Sequence, residues 1–225
     1  MGWHNPNVPW QEFERALSWG TGWRSDGEKL PRSVPADRPA ARVAPTGPAW
    51  AELHCHSAYS FLDGASEPHD LVAEAAALGI EYLAMTDHDG LYGIVRFAEA
   101  ARELRERHGV EVRTVFGAEL SLNLTERQNG VPDPEGSHLL VLARAPEGYA
   151  SLSAAITAAH MRGNKGRPVY HLDELANAHD DHWAVLTGCR KGWVRQALDH
   201  GGERAAQAAL RRLVDMFGPA NVFVE

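Results

Sequence analysis

Residues 81–122 read EYLAMTDHDGLYGIVRFAEAARELRERHGVEVRTVFGAELSL. Glu81–Thr86 is a short apolar run of strand length, Leu91–His108 has a helical pattern, and Val112–Leu122 is again apolar and rich in β-formers. Strand, helix and strand in succession are the repeating unit of a parallel α/β sheet. Working outward, Ala51–His54 and Glu67–Leu78 supply a strand and a helix before it. His138–Ala143, Pro146–His160, Trp183–Thr187, Gly192–His200, Glu203–Phe217 and Val222–Glu225 continue the alternation after it. The pattern predicts an α/β fold with a parallel sheet and helices outside, which suits a barrel as well as an open doubly wound sheet. Glu203–Phe217 reads as a core-packing helix, with Ala206, Leu210, Leu213, Val214 and Phe217 on one stripe and Arg211, Arg212 and Asp215 on the solvated face.

The first 48 residues differ in composition. Trp10, Phe13 and Leu17 stand at helical spacing within Trp10–Trp19, whereas Gly20–Pro48 is rich in Gly, Pro, Arg and Ala and too poor in aliphatic residues to fold alone. The expected organisation is a short helix and flexible linker over 1–48, then one domain over 49–225. The opening MGWHNPNVPW lacks the order of a signal peptide, and no apolar run approaches the roughly 18 residues of a membrane span, so a cytoplasmic protein without a membrane partner is expected. Lys and Arg total 22 against 30 Asp and Glu, a net charge of −8, which argues against binding nucleic acid through a broad basic face. Two cysteines, Cys55 and Cys189, are too few for a disulfide framework. Twelve histidines make metal chemistry the first hypothesis.

Candidate ligands recur at strand ends. In His54-Cys55-His56, residues i and i+2 of a strand share a side, so both imidazoles can reach one ion while Cys55 turns into packing. Asp63-Gly64 offers a carboxylate on a turn, although Asp-Gly is also a common turn former. Thr86-Asp87-His88-Asp89-Gly90 closes an apolar run; His88 reads as the ligand and Asp87 as its orienter or as a helix cap. Glu119, after Gly117, is the bridging-carboxylate candidate. His138 opens an apolar strand and Cys189 follows one; taken singly, each also fits a structural role. GNKGRP at 163–168 reads as a surface turn in preference to a phosphate cradle, and 125–137 as a polar loop. Taken together, imidazoles, carboxylates and a thiolate at successive strand ends point to a multi-metal site for Zn²⁺, Mn²⁺ or Fe²⁺ in preference to Ca²⁺ or Mg²⁺. Such a site suits phosphoester hydrolysis.

HCHSAYSFLDG (54–64), MTDHDGLYG (85–93), FGAE (116–119), SHLLVLA (137–143) and LTGCRKG (186–192), in this order, resemble the motifs of the PHP (polymerase and histidinol phosphatase) domain at the amino end of bacterial C-family DNA polymerase alpha subunits. The resemblance spans about Trp50 to Glu225. It implies a distorted (β/α)₇ barrel and a trinuclear metal centre whose matched positions here are His54, His56, Asp63, His88, Glu119, His138 and Cys189. It assigns no catalytic residue beyond them. It also implies a closing Asp-x-His pair beyond Glu225, so the barrel is expected to be incomplete. The opening MGWHNP with its Pro/Arg-rich linker is similar to the error-prone, damage-inducible branch. That likeness implies a DNA polymerase of lesion bypass and repair, bound to DNA and using Mg²⁺ through domains outside this chain, with a sliding clamp and an accessory Y-family-like protein as partners. A free-standing PHP phosphoesterase and a non-catalytic, metal-stabilised scaffold are the competing readings.

Overall fold

A computed structural model describes residues 50–128 and 136–225; the helix expected at Trp10–Trp19, the linker after it and residues 129–135 of the polar loop lie outside them. Among the described residues six strands form one sheet in sequence order: β1 (Ala51–Glu52), β2 (Tyr82–Met85), β3 (Arg113–Leu122), β4 (Ser137–Ala143), β5 (Trp183–Leu186) and β6 (Val222–Phe223). Among the described residues five helices accompany them: α1 (Pro68–Leu78), α2 (Ile94–His108), α3 (Pro146–Arg162), α4 (Leu172–Ala178) and α5 (Trp193–Phe217). The mixed α/β fold is as expected, and the sheet curls into a six-stranded half-barrel with β1 and β6 at its edges.

The expected all-parallel sheet is corrected. β1, β2 and β3 are parallel, as are β5 and β6, but β4 runs antiparallel to both of its neighbours. The physical reason lies between β3 and β4: a parallel return needs a crossover of a dozen or more residues, usually helical, and the polar stretch 125–137 supplies no apolar face for such a helix. α4 escaped the sequence pattern, since seven residues give no readable period. The two helices expected over 192–217 are both present within α5, divided at Gly202, whose backbone is non-helical with a φ of 69° that glycine adopts freely.

Side-chain alternation divides the sheet into two faces. Leu120, Leu139, Val141, Trp183 and Val185 point outward and pack with Leu152, Leu175, Leu213 and Phe217 of α3, α4 and α5, while Leu83 and Met85 pack with Val72 and Phe97 of α1 and α2. On the inner face Ala84, Leu140, Leu142 and Leu186 form a small apolar cluster with Val115 and Ala184 against it. Two-residue periodicity carries that inner face from Val115 through Gly117 to Glu119, and back from Leu140 to His138. Polar donors therefore stand directly above an apolar floor. Among the described residues, no helix is long and apolar enough to cross a membrane.

Candidate metal centre

The site is organised around Glu119, a carboxylate only 1% exposed. His54 Nε2 lies 3.4 Å and His138 Nδ1 3.0 Å from its Oε1; His56 Nε2 lies 3.0 Å and His88 Nδ1 3.5 Å from its Oε2. Asp63 Oδ2 contacts His56 Nδ1 and stands 3.4 Å from His88 Nε2. The rings of His54, His56, His88 and His138 follow one another in a row, with successive centroids 5.2, 4.4 and 5.1 Å apart.

All seven sequence-predicted ligands fall into three donor groups whose atoms lie within 4.8 Å of one another: His54, Glu119 and Cys189; His56, Asp63 and His88; His88, Glu119 and His138. His54 and His56 fall in separate groups, and both face Glu119. One expectation is corrected: they lie beyond β1, in a segment held beside the end of β2 by Thr86 N–H to the Cys55 carbonyl at 2.9 Å and Cys55 N–H to Thr86 Oγ1 at 3.1 Å. The alternation survives without a full ladder: Cys55 turns away and packs against the α1/α2 core. His138 reaches the site from the first turn of its strand because β4 is reversed, which brings its amino end to where the parallel strands end.

Asp87 neither orients His88 directly nor caps a helix; α2 begins after Gly93 without a side-chain cap. Buried at 2% exposure, Asp87 accepts hydrogen bonds from Ser57 N–H, Ser57 Oγ and Ser60 Oγ, all at 2.7 Å. Ser60 Oγ in turn accepts from the His88 N–H at 3.1 Å. Asp87 thus anchors the loop that carries Asp63. Gly64 is required there, since a Cβ would stand 2.0 Å from the Ser57 carbonyl oxygen. The two serines were not singled out in the sequence, where a serine in a turn looks ordinary. Glu225 was missed too: its Oε1 lies 2.8 Å from His54 Nδ1, and a single exposed acid gives no sequence signal. GNKGRP forms the expected turn, closed by Asn164 and Arg167.

Burial alone would push the Glu119 carboxyl upward, but the surrounding imidazoles of His138, His54 and His56 hold it far below the ordinary carboxylate range. For His54 burial acts downward and is outweighed by Glu119 and Glu225, which raise it to about 10. His56 is likewise raised, burial being overcome by Glu119 and Asp63. His88 is lowered, chiefly by burial and further by its imidazole neighbours. Both nitrogens of His88, Nε2 of His56 and Oε1 of Glu119 are buried without a hydrogen bond. Buried polar atoms are nearly always satisfied. Imidazoles and carboxylates left unsatisfied and converging within a few ångströms are the donor chemistry of a divalent transition metal, so the residues fit such ions.

The PHP domain model matches residues 52–225. The chain belongs to the PHP family. The chain is 54% identical over 239 residues to an error-prone DNA polymerase of Mycobacterium bovis and 53% identical over 236 residues to one of Cutibacterium acnes, in each case across 100% of its length. A third, from Nocardia farcinica, is 43% identical over 281 residues. The chain spans about a fifth of the length of the curated relatives it matches, 21% and 20% for the first two. A crystal structure from Bifidobacterium adolescentis, named for metal-dependent phosphoesterase activity, superposes with a TM-score of 0.46 at 15% identity, covering 77% of this chain and 84% of that chain.

Proposed function

We propose that this PHP domain holds divalent ions (Zn²⁺, Mn²⁺ or Fe²⁺) on His54, His56, Asp63, His88, Glu119, His138 and Cys189, and that it works as the amino-terminal, phosphoesterase-type part of an error-prone DNA polymerase. The observation that carries the reading is Glu119: a buried carboxylate facing four imidazoles, with unsatisfied lone pairs directed into the same space. Bound ions would activate water and offset the charge of a phosphoryl group. The chain's own share is to fix the donors on the inner face of the sheet and keep His88 neutral. The apolar floor of Leu140, Leu142 and Leu186 excludes water from beneath. The names of the relatives support DNA synthesis by the longer protein. There, Mg²⁺ would serve domains outside this chain, and lesion bypass and repair in the cytoplasm would engage DNA, a sliding clamp and a Y-family-like accessory protein. A net charge of −8 gives this segment no basic channel for a duplex.

The test pairs two assays on the 225-residue chain and on the complete reading frame, with Mg²⁺ and Mn²⁺ each supplied. The chain should bind metal, show at most feeble hydrolysis of a phosphodiester and extend no primer, whereas the longer protein should extend primers. Primer extension by the chain, or none by the longer protein, would show that the domain has been assigned to the wrong enzyme.

A further inference from the structure

The ladder between β2 and β3 continues into the site beyond the end of β2. Glu119 N–H donates to the Asp87 carbonyl at 3.2 Å and Asp89 N–H to the Glu119 carbonyl at 3.0 Å, setting His88 beside Glu119 as a parallel bridge. In a regular parallel ladder the next bond would run from Ser121 N–H to the Asp89 carbonyl. The chain turns away at Asp89, with φ of 50°, and that carbonyl accepts from His160 Nε2 at 2.8 Å instead. The vacant place is filled by the residue's own side chain. Asp89 Oδ1 accepts from Ser121 N–H at 2.8 Å, and Oδ2 accepts from Gln128 Nε2 at 3.0 Å, with Asp89 only 4% exposed.

We propose that Asp89 is a positioning residue of the metal centre: its carboxylate replaces the missing rung of the ladder and so fixes the spacing between His88 and Glu119, the two donors common to neighbouring groups. The inference rests on the metal-centre reading. Outer-shell partners of this kind commonly change metal affinity 10- to 100-fold when removed. Asp89→Ala leaves the Ser121 N–H without an acceptor and lets the turn relax, whereas Asp89→Asn keeps an acceptor oxygen, and Gln128 can present its own carbonyl to the new amide.

The experiment measures the dissociation constant of Mn²⁺ by chelator competition and the visible spectrum of the Co²⁺-loaded chain, for wild type and variants of the 225-residue protein. Asp89→Ala should bind Mn²⁺ roughly 10- to 100-fold more weakly and shift the Co²⁺ bands. Asp89→Asn should return both towards wild type. Gln128→Leu, which removes one partner of the carboxylate and no backbone bond, carries the test should Asp89→Ala fail to fold by circular dichroism; it should weaken binding and shift the bands in the same sense. A merely structural role would lower the melting temperature and leave the bands of bound Co²⁺ in place, which overturns the inference. So does an Asp89→Asn variant no better than Asp89→Ala. Wild type that holds no metal overturns the metal-centre reading and this inference with it. Wild type that holds metal beside folded variants of equal affinity overturns this inference alone.

Discussion

His54 Nδ1 and Glu225 Oε1 stand 2.8 Å apart, although His54 follows the first edge strand of the sheet and Glu225 the last. Only a strongly curled sheet brings its two edges to one point, and the contact is made at the end where the donors gather. Glu225 is itself held there by its N–H to Thr187 Oγ1 at 3.0 Å. The site thus links both edges through one imidazole.

Glu225→Gln removes one of the two carboxylates that raise His54. The titration of His54, followed by its ring proton resonances in the metal-free chain, should move down from about 10. The cost in stability should stay below about 1 kcal/mol, as for other partly exposed pairs. An unmoved titration would show that Glu119 alone sets the charge of His54.

Stability of the metal-free chain should fall with alkaline pH. The folded pKa of His54, raised to about 10, lies above the ordinary value of 6.5, so the stabilisation it carries is complete below about pH 6.5 and is lost as pH rises through 10. His56, raised for similar reasons, acts in the same sense. Ion binding demands neutral imidazoles and therefore has the opposite slope. Melting curves across this window, with and without Zn²⁺, should diverge as pH increases; a metal-free melting temperature that holds or climbs would contradict the charge assignment.

Replacing His54 and His56 together by alanine should lower metal content and stability in parallel, because ions that bind only the folded chain stabilise it by mass action. Elemental analysis after dialysis and thermal melts in added Mn²⁺ provide the readout. Unchanged stoichiometry in the double variant would remove both residues from the ligand set.

Asp87→Ala should be among the most damaging single changes outside the donors. It strips three 2.7 Å hydrogen bonds from a buried carboxylate's serine partners, a loss of about 3–5 kcal/mol given about 1.5–3 kcal/mol for each bond to a charged group and partial compensation by water. Denaturant titration measures it. A loss under about 1 kcal/mol would mean that the 57–60 loop is held by other contacts.

The candidate donors were more legible in the sequence than the sheet that carries them. His54, His56, His88, Glu119, His138 and Cys189 stand at the ends of apolar runs and Asp63 on a turn, positions that leave a local mark, and all seven lie in the three donor groups. Strand direction leaves no such mark. Leu139–Leu142 is equally apolar whichever way it runs, and the clue, a polar connection without a helical face, sits outside the strand itself. Asp87 was misread for a related reason: proximity in sequence to His88 favoured a role for it there, while its partners Ser57 and Ser60 come from a segment thirty residues earlier, as their separations of 30 and 27 show. The carboxylate of Asp89, which takes the place of a backbone carbonyl, could not be inferred without knowing where the chain turns.

The reversal of β4 also bears on the order in which the molecule assembles. Glu119 and His138 belong to adjacent antiparallel strands, with Ser121 opposite His138 and Glu119 opposite Leu140. His54 and His88 depend on parallel pairings closed through α1 and α2, and Cys189 on the long return through α3 and α4. Short-range pairings close at lower entropic cost and earlier than distant ones. The β3–β4 pairing should therefore gain protection from hydrogen exchange first during refolding, which makes Glu119 and His138 the seed around which the remaining candidate donors gather.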